Sequence, residues 1–556
     1  RNVNEDNVTN KMVFKGNIEY ISDCDVCIRL RATQQNISVL PMDSRYAIEH
    51  DYMDTSFRSM YSGLSAFLSA TKDRRDLLLN QREPEFDSAF DGAIAAATDD
   101  FVRITLKAQA AKDYFLLIGP PGTGKTSRAL RGMVEAFYRE GKEILLLSYT
   151  NRAVDEICKM LTAITPEVNF IRIGNELSCE EAYRPYLIEN VLETCSTRRE
   201  VQERMAHCRI FVGTVATLSA KAELFRLKTF DVALIDEATQ ILEPQLLGLL
   251  CMRGVTGGNA IGKFVLIGDH KQLPAVVLQS SEQSEVYDES LRTIGLCNLK
   301  DSLFERFYRN AMKQRSACCL QPSTGDSQSS VAGSPFSALR SLDILCRQGR
   351  MNVEVAAFPN HAFYGGLLQP VGLEHQTGSL KLSPELSTNE FAALLTRRVA
   401  FLPSTPEPPM QSAKMNRSEA KIVAGLAAAV YRQYTFAEGC FSAASTLGVI
   451  TPYRSQIALI KKEIEALEIP ALNEILVDTV ERFQGSERDV IIYSFCVNRL
   501  SQLRFLANLT EENGIRIDRK LNVALTRARK QMFIIGVRQL LEQNPIYAQL
   551  LKSCDS

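Results

Sequence analysis

The chain contains no apolar run approaching the roughly 18–20 residues that a membrane-spanning helix needs. Its nearest candidate, "IVAGLAAAVY" at 422–431, reads as helix core, so no membrane role is expected. A charge excess of either sign is also missing: 64 Lys+Arg against 65 Asp+Glu leave −1 at pH 7. A polyanionic partner therefore has to be held by local basic surface and not by global attraction. No secretory leader is visible, and 14 cysteines without one argue for reduced thiols in the cytoplasm, or in the nucleus if the cell has one. Cys24-Asp-Val-Cys27 is the only CxxC, and no second pair lies at zinc or iron–sulfur spacing. No internal repeat of fixed short period recurs. The first residue is Arg1, not Met, so the chain reads as a fragment of a longer one.

What is present is a chain of 556 residues, too long for one hydrophobic core. Residues 12–40 alternate as short strands ("MVFKGNIEYI", "DVCIRLRA", "NISVLP"), and a helical stretch follows from about 44 to 80. Residues 1–79 are accordingly expected to form a small β-barrel-like module with a helical stalk. From 110 onward, apolar runs ("YFLLIG", "EILLLSY", "RIFVGT", "VALID", "KFVLIGD") alternate with helix-length segments, as in a parallel sheet wrapped by helices. A second such series follows ("VAFLP", "LGVITPY", "ILVDTV", "VIIYSF", "QMFIIGV"). The expected fold is α/β, with two doubly wound units at 80–298 and 299–556. Residues 165–207, rich in charge and poor in strand pattern, read as a helical insertion in the first unit. The Ser/Gly/Pro/Gln-rich 316–337 reads as a mobile surface loop in the second.

The chemistry starts at "GPPGTGKT" (119–126), which follows an apolar strand and opens a helix. Gly122 and Gly124 let backbone N–H groups turn toward phosphate oxygens, Lys125 supplies a point charge to the β/γ-phosphates, and Thr126 offers a hydroxyl to Mg²⁺. Gly119, Pro120, Pro121, Thr123 and Ser127 complete the loop. "VALIDEATQ" (232–240) ends a buried strand in Asp236 and Glu237, at the sheet edge where α/β ligands bind. Asp236 suits Mg²⁺, and Glu237 suits orienting or deprotonating a water. By themselves these acids would equally suit a helix N-cap with a first-turn acid; a phosphate loop in the same chain favours the nucleotide reading. In "FVLIGDHKQLPAV" (264–276), Gln272 is placed to touch the γ-phosphate or the water, with a solvated turn as the alternative. Further on, "LNVALTRARK" (521–530) sets Arg527 and Arg529 just before a buried strand, with no carboxylate among their sequence neighbours.

These stretches resemble the superfamily 1 helicases of group B. The matching segments run in family order over about 110–535: "GPPGTGKT", "SYTNRAVDEI" (148–157), "FVGTVATL" (211–218), "LIDEATQ", "GDHKQLPAVV", "QGRM" (348–351), "GVITPYRSQI" (448–457), "VDTVERFQGSERDVII" (477–492) and "LNVALTRARK". The likeness is nearest to the helicase region of the flap-processing replication helicase–nuclease, supported by "AIEHDYMDTSFRSMYSGLSAFL" (47–68) and "KDYFLLIGPPGTGKT". The RNA helicase of nonsense-mediated decay is more distant. The resemblance implies two tandem RecA-like domains and an ATP-driven, 5′-to-3′ helicase or translocase on single-stranded nucleic acid, DNA before RNA. A monomer is expected, and there is room for a nuclease or other module before Arg1.

Residue by residue, the resemblance makes Arg350 and Arg527 the two arginines that reach the γ-phosphate from the second domain. Glu487 becomes the ribose ligand, and Thr150, Asn151, Thr214, Pro452, Tyr453 and Thr479 line the single-strand path. For the threonines and Asn151, helix capping is the competing reading. Two departures stand out. Phe101 sits where the family has an adenine-reading glutamine, so nucleotides other than ATP are expected to serve. Gly349 replaces a common aromatic and is expected to loosen the loop before Arg350. No clustered carboxylates with a metal-binding Lys or His suggest a nuclease outside the ATPase motifs. The other readings are an RNA helicase of the same group and a nucleotide-gated clamp that does not unwind.

Overall fold

A computed structural model describes residues 14, 16–30, 46–48, 55–254, 256–277, 279–319, 339–408, 412–437, 439–512 and 514–555. Two compact units emerge, Arg1–Ser62 and Gly63–Ser556. Within the first, strand β1 (Gly16–Ile21) pairs antiparallel with β2 (Val26–Leu30), and the Ser22 hydroxyl oxygen accepts from the Asp25 N–H at 3.0 Å to close the turn. The strand expected at "NISVLP" lies outside the described residues. Helices run over Thr55–Leu68 and Lys72–Leu78.

The larger unit is built on two parallel sheets. In the first, β3 (Tyr114–Ile118), β4 (Ile144–Ser148), β5 (Phe170–Ile173), β6 (Ile210–Thr214), β7 (Phe230–Ile235), β8 (Ile261–Gly268) and β9 (Leu342–Ile344) lie in the order β5-β6-β4-β7-β8-β3-β9. All its pairings are parallel. Its central strands β3 and β4 are largely apolar because both faces are covered. Tyr114, Leu116 and Ile118 of β3 enter the core on one face, and Phe115 and Leu117 enter the core on the other. Leu145 and Leu147 of β4 repeat the alternation against Ile144 and Leu146.

A short parallel pair, β10 (Arg347–Gln348) and β11 (Gln369–Pro370), leads to the second sheet. There β12 (Val399–Pro403), β13 (Leu447–Ile450), β14 (Leu476–Asp478), β15 (Arg488–Ser494) and β18 (Ala528–Gly536) take the order β12-β18-β15-β13-β14. Between β15 and β18 the chain inserts an antiparallel hairpin of β16 (Leu509–Glu512) and β17 (Ile515–Asp518). Ile491 and Tyr493 of β15 face one core, Val490 and Ile492 the other. Among the described residues no helix is long and apolar enough to cross a membrane.

Three expectations need correction. The boundary at 298/299 cuts the first sheet, because Leu116, Leu117 and Ile118 of β3 pair with Leu342, Asp343 and Ile344. The first sheet's edge strand thus comes from beyond residue 298. Residues 165–207 are not wholly helical: Phe170–Ile173 is an edge strand. Its pattern is broken by Arg172, which is buried and donates to Asp155. Of the expected loop at 316–337, residues through Cys319 extend the helix Leu303–Cys319, and the rest lie outside the described residues.

Among the described residues, the second sheet buries the Glu419 carboxyl without a cation beside it. Glu419, in the first turn of the helix Arg417–Ala437, accepts from the Ser494 hydroxyl at 2.6 Å, the Cys496 N–H at 2.9 Å and the Ser404 hydroxyl at 3.3 Å. Burial outweighs these bonds and raises its pKa from 4.5 to about 7. The folded state therefore binds this proton more tightly than the unfolded chain, so the group's stabilisation is full below about pH 4.5 and is lost as pH rises through 7. Glu419→Gln is expected to remove that slope. Denaturant melts at roughly pH 5 and pH 8 should show the wild type losing on the order of 3 kcal/mol more than the variant. Equal losses would refute the assignment.

Candidate nucleotide site between the two sheets

The strand β3 delivers the chain into the loop 119–124 at the carboxyl edge of the first sheet. The Gly119 N–H donates to the Gly268 carbonyl at 2.9 Å, tying the loop to the end of β8. Gly122 and Gly124 have φ of +71° and +79°, backbone that side-chain-bearing residues rarely adopt. A Cβ on Gly119 would meet the Lys125 Cδ at 2.7 Å, so the loop closes tightly around that side chain. The helix that follows starts with wide turns over Lys125–Leu130 and continues as Arg131–Arg139.

The acid pair sits directly opposite. The Lys125 Nζ lies 2.6 Å from Glu237 Oε1 and 3.9 Å from Asp236 Oδ1. The Thr126 hydroxyl donates to Asp236 Oδ2 at 2.7 Å. Burial disfavours the Lys125 charge, but Glu237 and Asp236 outweigh it and its pKa is raised. Between the two acids the balance differs. Burial wins at Asp236, raising its pKa against Lys125, whereas Lys125 overcomes burial at Glu237 and lowers it. Glu237 has φ of +54°, a strained position for a glutamate, and Gln240 Nε2 steadies its carboxylate at 3.0 Å.

Across the cleft stands the second half of the unit. Arg527 is buried, and its Nη2 donates to Gln272 Oε1 at 3.2 Å, its Nε to the Val523 carbonyl at 3.0 Å. Burial, reinforced by the Arg350 guanidinium, pushes Arg527 down to about 9. Arg350 donates through Nε to Glu487 at 2.6 Å and through Nη1 to the Thr526 carbonyl at 3.3 Å. Burial opposes the Glu487 charge, but Arg350 lowers its pKa on balance. The expected finger and the expected ribose ligand therefore engage each other. Arg529 turns away to Asp489 at 3.4 Å and Glu487 at 3.7 Å, carboxylates that its sequence neighbours do not supply.

The loop before Arg350 is fastened, contrary to the expectation drawn from Gly349. The Gly349 N–H donates across the cleft to the Gly122 carbonyl at 2.8 Å, and the buried Gln348 side chain accepts from the Arg350 N–H at 3.0 Å. A Cβ on Gly122 would fall 2.4 Å from the Arg350 Cβ, so the two loops are in contact.

The cleft of about 2290 Å³ is lined by the whole stretch Gly119–Arg128, including Pro120, Pro121, Thr123 and Ser127, together with Asp236, Glu237, Gln272, Arg350, Glu487 and Arg527. Thr150 also lines it. The other expected strand-path residues lie at strand ends outside it. Thr214 closes β6, paired with Ser148 of β4, so it neighbours Thr150 and Asn151. Pro452 and Tyr453 follow β13, and Thr479 follows β14, its parallel neighbour. Thr150 and Thr214 cap helices, accepting from Ala153 N–H at 3.2 Å and Thr217 N–H at 3.1 Å.

Beside Arg527, residues that the sequence did not single out clamp the Gln272 segment from the second half. Tyr364, Asn522 and Arg527 contact Asp269, Lys271 and Gln272, while Glu512 of β16 accepts from Lys271 Nζ at 3.0 Å and lies 3.2 Å from His270 Nε2. No element is expected there from the sequence as read above; an Asn-Gly step after β16 is the local hairpin signal in that segment.

Comparison with known proteins fits this geometry. Residues 329–539 match an AAA domain, and residues 98–208 and 192–280 match a second AAA domain. The chain is 26% identical over 97% of its length to the DNA replication ATP-dependent helicase/nuclease DNA2 of Homo sapiens, covering 47% of that protein. It is 28% identical over 91% of its length to the DNA replication ATP-dependent helicase/nuclease JHS1 of Arabidopsis thaliana, covering 34% of that protein. With the Saccharomyces cerevisiae DNA2 it shares 27% identity over 85% of its length, and 28% of that protein. The chain thus spans about half, or less, of the relatives it matches. The complex structure of Arterivirus nonstructural protein 10 (helicase) with DNA overlays 78% of this chain and 62% of its own at 14% identity, with a TM-score of only 0.34.

A phosphate loop and acid pair on one parallel sheet, facing arginines from another, define a P-loop NTPase of two tandem RecA-like domains. The chain carries AAA-domain matches over 98–280 and 329–539 and is similar over most of its length to the replication helicase–nucleases.

Proposed function

We propose that the chain is an ATP-driven helicase or translocase that moves 5′ to 3′ on single-stranded DNA. The observation that supports this best is the split site: Lys125, Thr126, Asp236 and Glu237 on one sheet, with Arg527 on the other touching Gln272 at 3.2 Å. Thr126 and the buried Asp236 bring two hard oxygen donors together in a partly buried corner, which suits Mg²⁺. When bound there, the ion neutralises charge on the phosphate oxygens. Lys125 exchanges its contact with Glu237 for phosphate, and Glu237, freed, accepts a proton from the attacking water or orients it. Arg350 and Arg527 stabilise the charge spread over the γ-phosphoryl oxygens. Their place on the second domain makes hydrolysis depend on closure of the cleft, and loss of the γ-phosphate releases them.

In this reading the strand crosses the ends of β4 and β6 and of β13 and β14, past Thr150, Asn151, Thr214, Pro452, Tyr453 and Thr479. Each closure then shifts the grip. The first domain runs through Ile344, and the chain works as a monomer inside a cell and away from membranes. Hydrolysis measured with single-stranded DNA, single-stranded RNA or neither tests the assignment. DNA should stimulate most, and stimulation should fall steeply with salt. Equal stimulation by RNA would favour the RNA-helicase reading.

Phe101 lines the same cleft, and the Arg128 guanidinium stacks over its ring at 4.0 Å. A phenyl ring, unlike a glutamine amide, grips any base by its face and reads no edge. ATP, GTP and CTP should therefore be hydrolysed with kcat/KM values within about tenfold of one another, roughly the energy of one edge-reading hydrogen bond. Strict dependence on adenine would show that another group reads the base.

A further inference from the structure

We propose that Tyr364 is a positioning residue for hydrolysis, fixing through Asp269 which end of the Gln272 amide faces Arg527. The proposal rests on the nucleotide reading of the cleft and adds a relay to it. Tyr364 closes the helix Val353–Tyr364 of the second domain, whose chain then turns away at Gly365 with φ of +60°. Its ring is buried, and its hydroxyl donates to Asp269 Oδ2 at 2.7 Å, across the cleft on the segment after β8. That same oxygen accepts from Gln272 Nε2 at 2.8 Å.

The direction of each hydrogen bond is fixed by chemistry. The Lys271 carbonyl can only accept, so the Asn522 group 2.7 Å from it is the amide nitrogen. That nitrogen also donates to the Tyr364 oxygen at 2.8 Å, which leaves the Tyr364 proton to point at Asp269. Burial and the adjacent Asp269 carboxylate push the phenol well up, so it stays a donor. The Arg527 guanidinium can only donate, so Gln272 presents its carbonyl oxygen to Arg527 and its NH₂ to Asp269. Asp269 and Asn522 are both almost wholly buried, at 1% and 0% exposure, so water does not readily replace a lost partner.

The consequence is a Gln272 oxygen that is oriented only while the second domain is docked. Loss of the Tyr364 hydroxyl leaves Asp269 short of a donor, and the carboxylate that holds the Gln272 NH₂ is then free to shift. Substrate binding depends on Lys125 and the loop 119–126, which the relay does not touch. The effect should therefore fall on turnover alone.

The test is steady-state hydrolysis of ATP with saturating single-stranded DNA, for wild type, Tyr364→Phe and Asn522→Ala, with thermal melts of each. Tyr364→Phe should lower kcat about tenfold or more with KM for ATP within about twofold, as expected for losing one hydrogen bond to a charged group in the transition state only. Asn522→Ala, which frees the hydroxyl to rotate, should show the same pattern more weakly. If Tyr364→Phe does not fold, Asn522→Ala decides. Wild-type turnover with unchanged kcat in the folded variants overturns the relay alone, as does a rise in KM at constant kcat. A wild type that turns over no nucleotide overturns the nucleotide reading itself.

Discussion

Arg527→Ala is expected to lower kcat by about 10³-fold or more while leaving KM for ATP nearly unchanged, the range for an arginine finger. Arg527 is 3% exposed and has hydrogen bonds to two backbone carbonyls, at Val523 and Ser486, yet among the described residues no carboxylate pairs with it closely. A buried guanidinium so weakly compensated that it is pushed down to about 9 is poised for an anion. Its one side-chain partner across the cleft, Gln272, lies beside the acid pair that faces Lys125. Arg527→Lys should restore little, because a single ammonium cannot reproduce the planar fork that touches Gln272, Ser486 and Val523 together. Stimulated turnover by purified Arg527→Ala within tenfold of wild type would remove it from the site.

Lys125→Ala should behave differently, losing both kcat and nucleotide affinity, with turnover down at least about 10²–10³-fold. Lys125 is the cation closest to Asp236 and Glu237, at 3.9 and 2.6 Å, and all three are largely buried. Removing it leaves two adjacent carboxylates in a low-dielectric corner. Breaking a buried pair typically costs about 3–5 kcal/mol, unless one acid takes up a proton. The variant should therefore be destabilised near neutral pH and recover as the pH falls. Melting curves against pH, beside equilibrium titration with a non-hydrolysable ATP analogue, separate this from Arg527→Ala. A Lys125→Ala variant that binds the analogue as wild type does would contradict the placement of the phosphates.

Much of this was legible in the sequence, for a physical reason. Strands covered on both faces must be apolar without interruption, so β3, β4, β6, β7 and β8 stood out as runs. The elements that escaped detection are those whose burial depends on distant partners. In β9 only three residues pair, and one is Asp343, buried against Arg103 at 3.1 Å and Lys107 at 3.0 Å. In β5, Arg172 breaks the pattern and is paired with Asp155, on the helix Asn151–Thr162. The site divides in the same way. Lys125, Thr126, Asp236 and Glu237 follow from local spacing, because phosphate chemistry needs them at strand ends. Arg350, Arg527 and Glu487 came only through family resemblance, since nothing local says what they face. Tyr364, Asn522 and Glu512 carry no local signal of their role; their meaning lies in contacts across the cleft with Asp269, Lys271 and His270.

Strand displacement tests the central claim most directly, namely that closure of a cleft between two domains drives movement along a strand. Duplexes with a 5′ or a 3′ single-stranded tail, in DNA and in RNA, are offered to the wild type with ATP and to Arg527→Ala. The account predicts displacement of the 5′-tailed DNA by the wild type, little or none on the 3′-tailed duplex, and none by Arg527→Ala on either. Vigorous nucleotide turnover by the wild type with tight single-strand binding but no displacement of any tailed duplex would contradict it, leaving a nucleotide-gated clamp.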